Sequence, residues 1–137
     1  MKVERLGWLG TRTEHIAAMK RFYAQTLGLQ SVIDEPNFAA FRLPDGAFVE
    51  LFGPEDAEHG HFTTGPVVGL VVRNIESAVE ELKRAGVAII HRGQVENGSA
   101  WAHFRAPDGN IYELVQPVRV AARARTVRAA KSLQQGS

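Results

Sequence analysis

Apolar and polar positions along the chain alternate in a pattern that predicts short strands with two intervening helices. Alternation over residues 5–13 predicts a strand, and apolar residues at helical spacing predict a helix over residues 14–26. A short apolar run at residues 67–72 predicts a further strand, followed by a helix over residues 75–85 that Asn74 can cap. Three more strands are predicted at residues 88–92, 99–105 and 110–115.

An internal repeat sets the domain organisation. The segments FRLPDGAFVELFGP (41–54) and FRAPDGNIYELVQP (104–117) lie 63 residues apart and coincide at eight of fourteen positions. Each reads as a strand, a Pro-Asp-Gly turn and a second strand, because proline presets the turn and glycine accepts a positive φ. The upstream strand and helix of each half also correspond. The chain is therefore predicted to hold two β-α-β-β-β modules, residues 1–54 and 66–117, with a linker at 55–65 and a tail at 118–137.

Neither module could bury its own sheet, because one helix covers only one face. Pairing the two modules would enclose the remaining face, so the predicted fold is α+β, with tandem modules forming a cupped mixed sheet around a shared cavity. Such a concave space is where a small-molecule ligand is expected.

Composition and charge narrow the function classes. The chain has no cysteine, which excludes disulfides, thiolate chemistry and cysteine-ligated metal centres. No segment resembles a signal peptide or a membrane span, so we expect a cytoplasmic protein without a membrane partner. The tail carries five basic and no acidic residues, while residues 1–117 carry a net charge of −4. The tail also lacks aromatic residues, which argues against a nucleic-acid partner.

The chain resembles the glyoxalase / bleomycin-resistance / dioxygenase superfamily, also called the vicinal-oxygen-chelate (VOC) superfamily. Three segments carry the resemblance: residues 22–29 at the end of the first helix, residues 74–86 across the second helix, and residues 104–114 in the last hairpin. The likeness covers residues 3–117. It implies the duplicated fold, a small-molecule ligand and a homodimer.

The superfamily's metal-dependent members take one ligand from the first and one from the last strand of each module. By the repeat, the last strands supply Glu50 and Glu113, but the first strands supply Trp8 and Val67. Valine cannot ligate and an indole N–H only donates, so we predict no metal and no other cofactor. The His59-Gly60-His61 segment of the linker is interpreted as a mobile polar loop; folding over the cavity is the one route by which it could restore imidazole ligands.

Strand alternation and the family positions of the glutamates define a candidate site. Six side chains are predicted to face the cavity: Trp8, Arg12, Glu50, Trp101, His103 and Glu113. The tryptophans could instead be core residues, and the arginine could simply neutralise a buried glutamate. His103 and Glu113 are the candidate catalytic groups, since histidine titrates near neutrality and a carboxylate can serve as a base.

Three functions remain open on the sequence. The first is metal-free binding of a flat aromatic or cationic molecule between Trp8 and Trp101. The second is an enzyme (a lyase, isomerase or dioxygenase) that works by proton transfer through Glu113 or His103, with Arg12 holding an oxyanion. The third is an interaction module in which the basic tail docks on a partner.

Overall fold

The structure is a computed structural model that describes residues 1–117. The interaction role considered for the basic tail falls on residues 118–137 and lies outside the described residues. No described helix is long and apolar enough to cross a membrane. The elements are β1 Arg5–Arg12, α1 Ile16–Arg21, a π-helical turn Phe22–Thr26, β2 Gln30–Glu35, β3 Phe38–Arg42, β4 Phe48–Phe52, β5 Val67–Val71, α2 Ile75–Arg84, β6 Ile89–Gln94, β7 Ala100–Arg105 and β8 Ile111–Gln116.

All eight strands form one mixed, curled sheet in the order β2-β3-β4-β1-β5-β8-β7-β6. The predicted α+β fold class is therefore confirmed. The two modules join where β1 runs antiparallel to β5, and each of these strands is parallel to the last strand of its own module. Gly10 pairs with Glu50 in the first module as Gly69 pairs with Glu113 in the second. This equivalence brings the two glutamates to matching places on either side of the β1–β5 seam.

The two helices cover one face of the sheet, as the apolar pattern predicts. In the second module Ala78 and Val79 of α2 pack on Ala102 and Leu114, with Leu70 against the same cluster. The side chain of Asn74 accepts a hydrogen bond from the Ser77 backbone N–H at 3.0 Å and caps the start of α2, as predicted. In the first module Tyr23 packs with four residues of β3 and β4: Ala39, Phe41, Val49 and Leu51.

The first helix differs from its prediction. A single helix is expected over residues 14–26, but α-helical geometry ends at Arg21 and a π-helical turn follows. The Leu27 N–H donates to the Phe22 carbonyl and the Leu29 N–H donates to the Tyr23 carbonyl, which widens the last turns. The wider turn lets Tyr23 become buried while Phe22 stays 44% exposed. Apolar spacing alone does not reveal such a change of pitch.

The opposite face carries the remaining core. One cluster on this side includes Trp8, Phe52, Phe62 and Val67. A separate cluster gathers the second tryptophan with residues of β5, the β6–β7 turn and β8: Val71, Val95, Trp101 and Val115. The polar groups of the candidate site lie on this second face.

Candidate active site

Four of the chain's five histidines meet on the face of the sheet opposite the helices. His59 and His61 come from the linker, His91 from β6 and His103 from β7. The ring centroid of His103 lies 5.0 Å from that of His61, 5.3 Å from that of His91 and 6.1 Å from that of His59. The register explains one of these approaches, because His91 pairs with His103 across β6 and β7.

A chain of hydrogen bonds runs from a buried carboxylate to the linker. Nε2 of His103 lies 2.9 Å from Oε2 of Glu113, and Nδ1 of His103 lies 2.9 Å from Nε2 of His61. The side chains of His103 and Glu113 are both 0% exposed, whereas His61 is only partly buried. His61 is therefore the member of this Glu113–His103–His61 relay that connects it to the outside.

The hydrogen-bond chemistry of the relay assigns the proton positions. A carboxylate oxygen only accepts, so with Glu113 ionised the proton of His103 is on Nε2 and its Nδ1 is an acceptor. His61 then donates from its own Nε2, which leaves Nδ1 of His61 with a lone pair. No described residue donates to that nitrogen. The relay thus presents one basic nitrogen at its outer end.

His61 is uncharged at neutral pH in this setting. Burial is the largest cause that lowers the pKa of His61 from 6.5 to about 4, and the neighbouring His103, His91 and His59 lower it further, while Asp56 raises it. A neutral imidazole can accept a proton, whereas a protonated one cannot. Burial, together with the neighbouring imidazoles, therefore keeps His61 in the form that a general base requires.

The linker holds its histidines in place through a turn. Oδ2 of Asp56 accepts from the backbone N–H of His59 at 3.0 Å and lies 2.8 Å from Nδ1 of the same residue. The ring of His59 stacks on Phe52 at a centroid distance of 3.7 Å, and Phe62 is 4% exposed. The interpretation of this segment as a mobile polar loop is therefore wrong. The signals that could have identified the turn are Asp56 three residues before His59 and the apolar Phe62 in an otherwise polar linker.

Two more acidic groups accompany the histidines. Oε1 of Glu58 lies 3.5 Å from Nε2 of His91. Single donor atoms of Asp56, Glu58 and His59 lie within 4.8 Å of one another, close enough to be considered for a metal ion. Oδ2 of Asp56, however, already receives two N–H groups of His59, so this arrangement serves as the local cap that orients the imidazole.

Trp8 lies against the relay and bonds to the first-module glutamate of the repeat. Its Nε1–H donates to Oε1 of Glu50 at 2.5 Å, in a fully buried setting. Its ring stacks on His103 with a centroid distance of 6.4 Å and an interplanar angle of 19°. A Cβ placed on Gly69 would lie 2.8 Å from Cβ of Trp8 and 3.2 Å from Oε1 of Glu113, and a Cβ on Gly10 would overlap the indole. The two glycines thus make the space that the indole occupies.

Two of the predicted site residues lie elsewhere. Trp101 shares a face with Trp8 but packs against Val71, Val95 and Val115 in a different cluster, so the two indoles do not form the expected clamp. The reason is that two strands, β5 and β8, lie between β1 and β7 in the sheet.

Arg12 also makes a contact other than the expected one. Its Nη2 donates to the Pro54 carbonyl at 3.0 Å, at the end of β4, rather than to Glu50 or Glu113. Nε of Arg12 is buried without a hydrogen-bond partner among the described residues. Arg12 pairs with Phe52 in the sheet, and Phe52 is the residue on which His59 stacks.

Comparison with known proteins identifies the family. Residues 5–114 match the model of the Glyoxalase/Bleomycin resistance protein/Dioxygenase superfamily. The chain belongs to this superfamily. A search of curated proteins gave no significant match.

Solved structures of the superfamily's fold are similar to the chain at low sequence identity. Methylmalonyl-CoA epimerase from Mycobacterium tuberculosis has a TM-score of 0.67 and 22% identity, over 89% of this chain and 93% of that one. A hypothetical protein from Bacillus halodurans has a TM-score of 0.64 and 22% identity, over 82% and 93%. A Streptomyces coelicolor methylmalonyl-CoA epimerase variant has a TM-score of 0.62 and 19% identity, over 84% and 98%. At this identity the likeness establishes the fold.

The four residues at the superfamily's metal positions do not by themselves form a transition-metal ligand set. Glu50 accepts from the Trp8 indole, and Glu113 bonds to His103. Val67 is 1% exposed and packs in the same apolar cluster as Trp8. A set of two carboxylates, an indole and an isopropyl group lacks the imidazole and oxygen ligands that transition metals take.

Proposed function

We propose that the protein is an enzyme of its superfamily that catalyses a proton transfer on a small carbonyl compound, with His61 as the general base. The observation that carries this proposal is the hydrogen-bonded relay from Glu113 through His103 to His61, at 2.9 Å for each link. The inner two groups are buried and the outer one is accessible. An imidazole oriented by a second group that is itself oriented by a carboxylate is the arrangement that general-base catalysis uses.

The path of the proton follows from the tautomers. Nδ1 of His61 takes a proton from the substrate, and the positive charge that results is stabilised as the Nε2 proton of His61 moves toward Nδ1 of His103. The Nε2 proton of His103 moves in turn toward Glu113. Nδ1 of His61 can return the proton on the same face of the substrate, to a neighbouring atom, and the steps then run in reverse. The relay therefore serves an isomerisation without any net change in the enzyme.

The site offers one group for the negative charge that develops on the substrate. Loss of a proton beside a carbonyl places charge on its oxygen, and a preorganised N–H donor stabilises that oxygen. Arg12, whose Nη2 donates to the Pro54 carbonyl at the end of β4, is the cationic side chain assigned to this role. Two structural neighbours are methylmalonyl-CoA epimerases, and abstraction of a proton from an acidic carbon is the part of such a reaction that His61 would serve.

Exchange of carbon-bound hydrogen in D2O tests the proposal. The purified protein is incubated with a panel of acyl-CoA thioesters, α-keto acids and α-hydroxy ketones, and deuterium incorporation is followed by proton NMR. Replacing the general base should slow exchange by about 10²–10⁴-fold, so His61→Gln should be close to inactive on any compound that the wild type exchanges. His15→Gln is the matched control, because His15 is an exposed histidine outside the cluster.

The inner residues of the relay act through His61, so their loss should have a different signature. Glu113→Gln keeps the size of the side chain but removes its charge, and we expect a lower kcat with a changed pH profile and little change in KM. A wild-type protein that exchanges a substrate, while His61→Gln exchanges it at the same rate, would contradict the proposal.

Binding without turnover is the second function to consider, since the face of the sheet is lined by Trp8, Phe52 and Phe62. Because the two indoles lie in different clusters, a flat aromatic or cationic ligand at this face should quench the fluorescence of Trp8 and leave that of Trp101 unchanged. Titration of the single-tryptophan variants Trp101→Phe and Trp8→Phe measures the two separately. Quenching of Trp8 by a compound whose hydrogens never exchange would favour binding over catalysis.

A further inference from the structure

The indole of Trp8 lies where other members of the superfamily have a metal ligand, and its surroundings are built to receive it. The N–H points at Glu50, the ring stacks on His103, and Val67 at the equivalent position of the second module packs in the same cluster. Glu50 is 1% exposed and Glu113 is 0% exposed. A buried carboxylate is costly unless a cation or a hydrogen-bond donor compensates it.

Each of the two carboxylates has a donor from this chain. Nε1 of Trp8 donates to Oε1 of Glu50 in a buried hydrogen bond. Glu113 receives the corresponding support from His103 at 2.9 Å. Each donor occupies one oxygen atom of its carboxylate.

The two glycines of the seam make this arrangement possible. Gly10 pairs with Glu50, and Gly69 pairs with both Trp8 and Glu113. A side chain at either position would collide with the indole, as the 2.8 Å approach of a Gly69 Cβ to Cβ of Trp8 shows. The indole therefore lies over Gly10 beside the seam, with Glu50 at its N–H and His103 facing its ring.

We propose that the Trp8 indole replaces the divalent cation of the superfamily: its N–H compensates Glu50, and its ring closes the space in which a metal would contact both glutamates. The site is closed by a side chain, and removal of that side chain would reopen it. This inference concerns Glu50 and Trp8 and does not depend on the proton-transfer role of His61.

Metal binding by variants tests the inference. Trp8→His combined with Val67→His restores an imidazole at each first-strand position. After equilibration with Zn²⁺ or Ni²⁺ and dialysis, metal content by mass spectrometry and affinity by calorimetry are compared with the wild type. We expect the double variant to gain one equivalent of metal, and to lose it again when Glu50→Gln is added.

The wild-type protein supplies the matching control. Metal held by the linker histidines would be a background common to all variants. The informative quantity is therefore the difference in metal content between each protein and the same protein with Glu50→Gln. Glu50→Gln in the wild-type background should leave metal content unchanged, because glutamine can still accept from the indole. The inference is overturned if the wild type loses an equivalent of metal on this substitution, or if the folded double variant gains none.

A second measurement applies should the double variant fail to fold. In the ¹⁵N–¹H spectrum of the wild type, the Nε1 resonance assigned by Trp8→Phe should exchange slowly with solvent and should shift in Glu50→Gln. An indole proton that exchanges at the rate of an exposed tryptophan would equally overturn the inference.

Discussion

The pH dependence of stability offers a direct test of the histidine cluster. The pKa of His61 is lowered from 6.5 to about 4, first by burial and then by His103, His91 and His59, against an opposing effect of Asp56. Between these two values the unfolded chain binds a proton at this residue and the folded chain does not. The free energy of unfolding therefore decreases as the pH falls through this window. Above about pH 6.5, His61 is neutral in both states and causes no such loss.

The magnitude follows from the size of the pKa change. A fall from 6.5 to about 4 corresponds to at most about 3 kcal/mol at 1.36 kcal/mol for each pKa unit. Because His61 is only partly buried, solvent screening reduces the expected loss to about 1–2 kcal/mol. The wild type should lose this amount between about pH 7 and pH 4, in addition to what its other groups contribute.

Urea denaturation at a series of pH values measures the effect, with the free energy of unfolding as the readout. His61→Gln removes the titrating group, and its amide can still donate to Nδ1 of His103. The free energy of unfolding of this variant should depend less on pH than that of the wild type, by about 1–2 kcal/mol over the window. His15→Gln should retain the full wild-type dependence. Parallel curves for the wild type and His61→Gln would refute the reasoning, since they would place His61 in solvent rather than in the cluster.

Three further predictions concern the packing around the site. Gly93→Ala places a methyl group against the indole of Trp101 and should lower the free energy of unfolding by about 1–3 kcal/mol, measured with urea; an unchanged midpoint would contradict the close packing. Phe62→Ala removes a buried ring that anchors the linker and should cost about 3–5 kcal/mol, whereas a loss below about 1 kcal/mol would mean that the linker packs loosely. Asp56→Asn weakens the cap on His59 and should cost about 1 kcal/mol by thermal melting, with faster backbone hydrogen exchange at residue 59 as the specific sign.

The fold could be predicted because the evidence for it is repeated and local. Two copies of a strand, a Pro-Asp-Gly turn and a strand align Glu50 with Glu113, and the sheet places the two glutamates opposite equivalent glycines. Alternation along β7 also separates His103 from Phe104 correctly, because successive side chains of a strand point to opposite faces.

The site could be predicted only in part, because alternation shows which face of the sheet a side chain lies on but not which residues it contacts. Trp8 and Trp101 share a face, yet the sheet order places them in separate clusters. The linker histidines escaped prediction for a different reason. A polar segment with two glycines and two histidines gives no periodic signal, and its position depends on the burial of Phe62 and the stacking of His59 on Phe52.

The sequence by itself determined the duplicated α+β architecture, the membership of the superfamily and the absence of imidazoles from the first strands of both modules. Only the tertiary structure decided what takes their place. Trp8 reaches Glu50 through the strand order and the space above Gly10 and Gly69. His61 reaches His103 because the linker folds back over the sheet. Each contact joins residues that are 42 positions apart in the chain. Contacts between residues so far apart follow from packing in three dimensions, and no local pattern of apolar and polar positions specifies them.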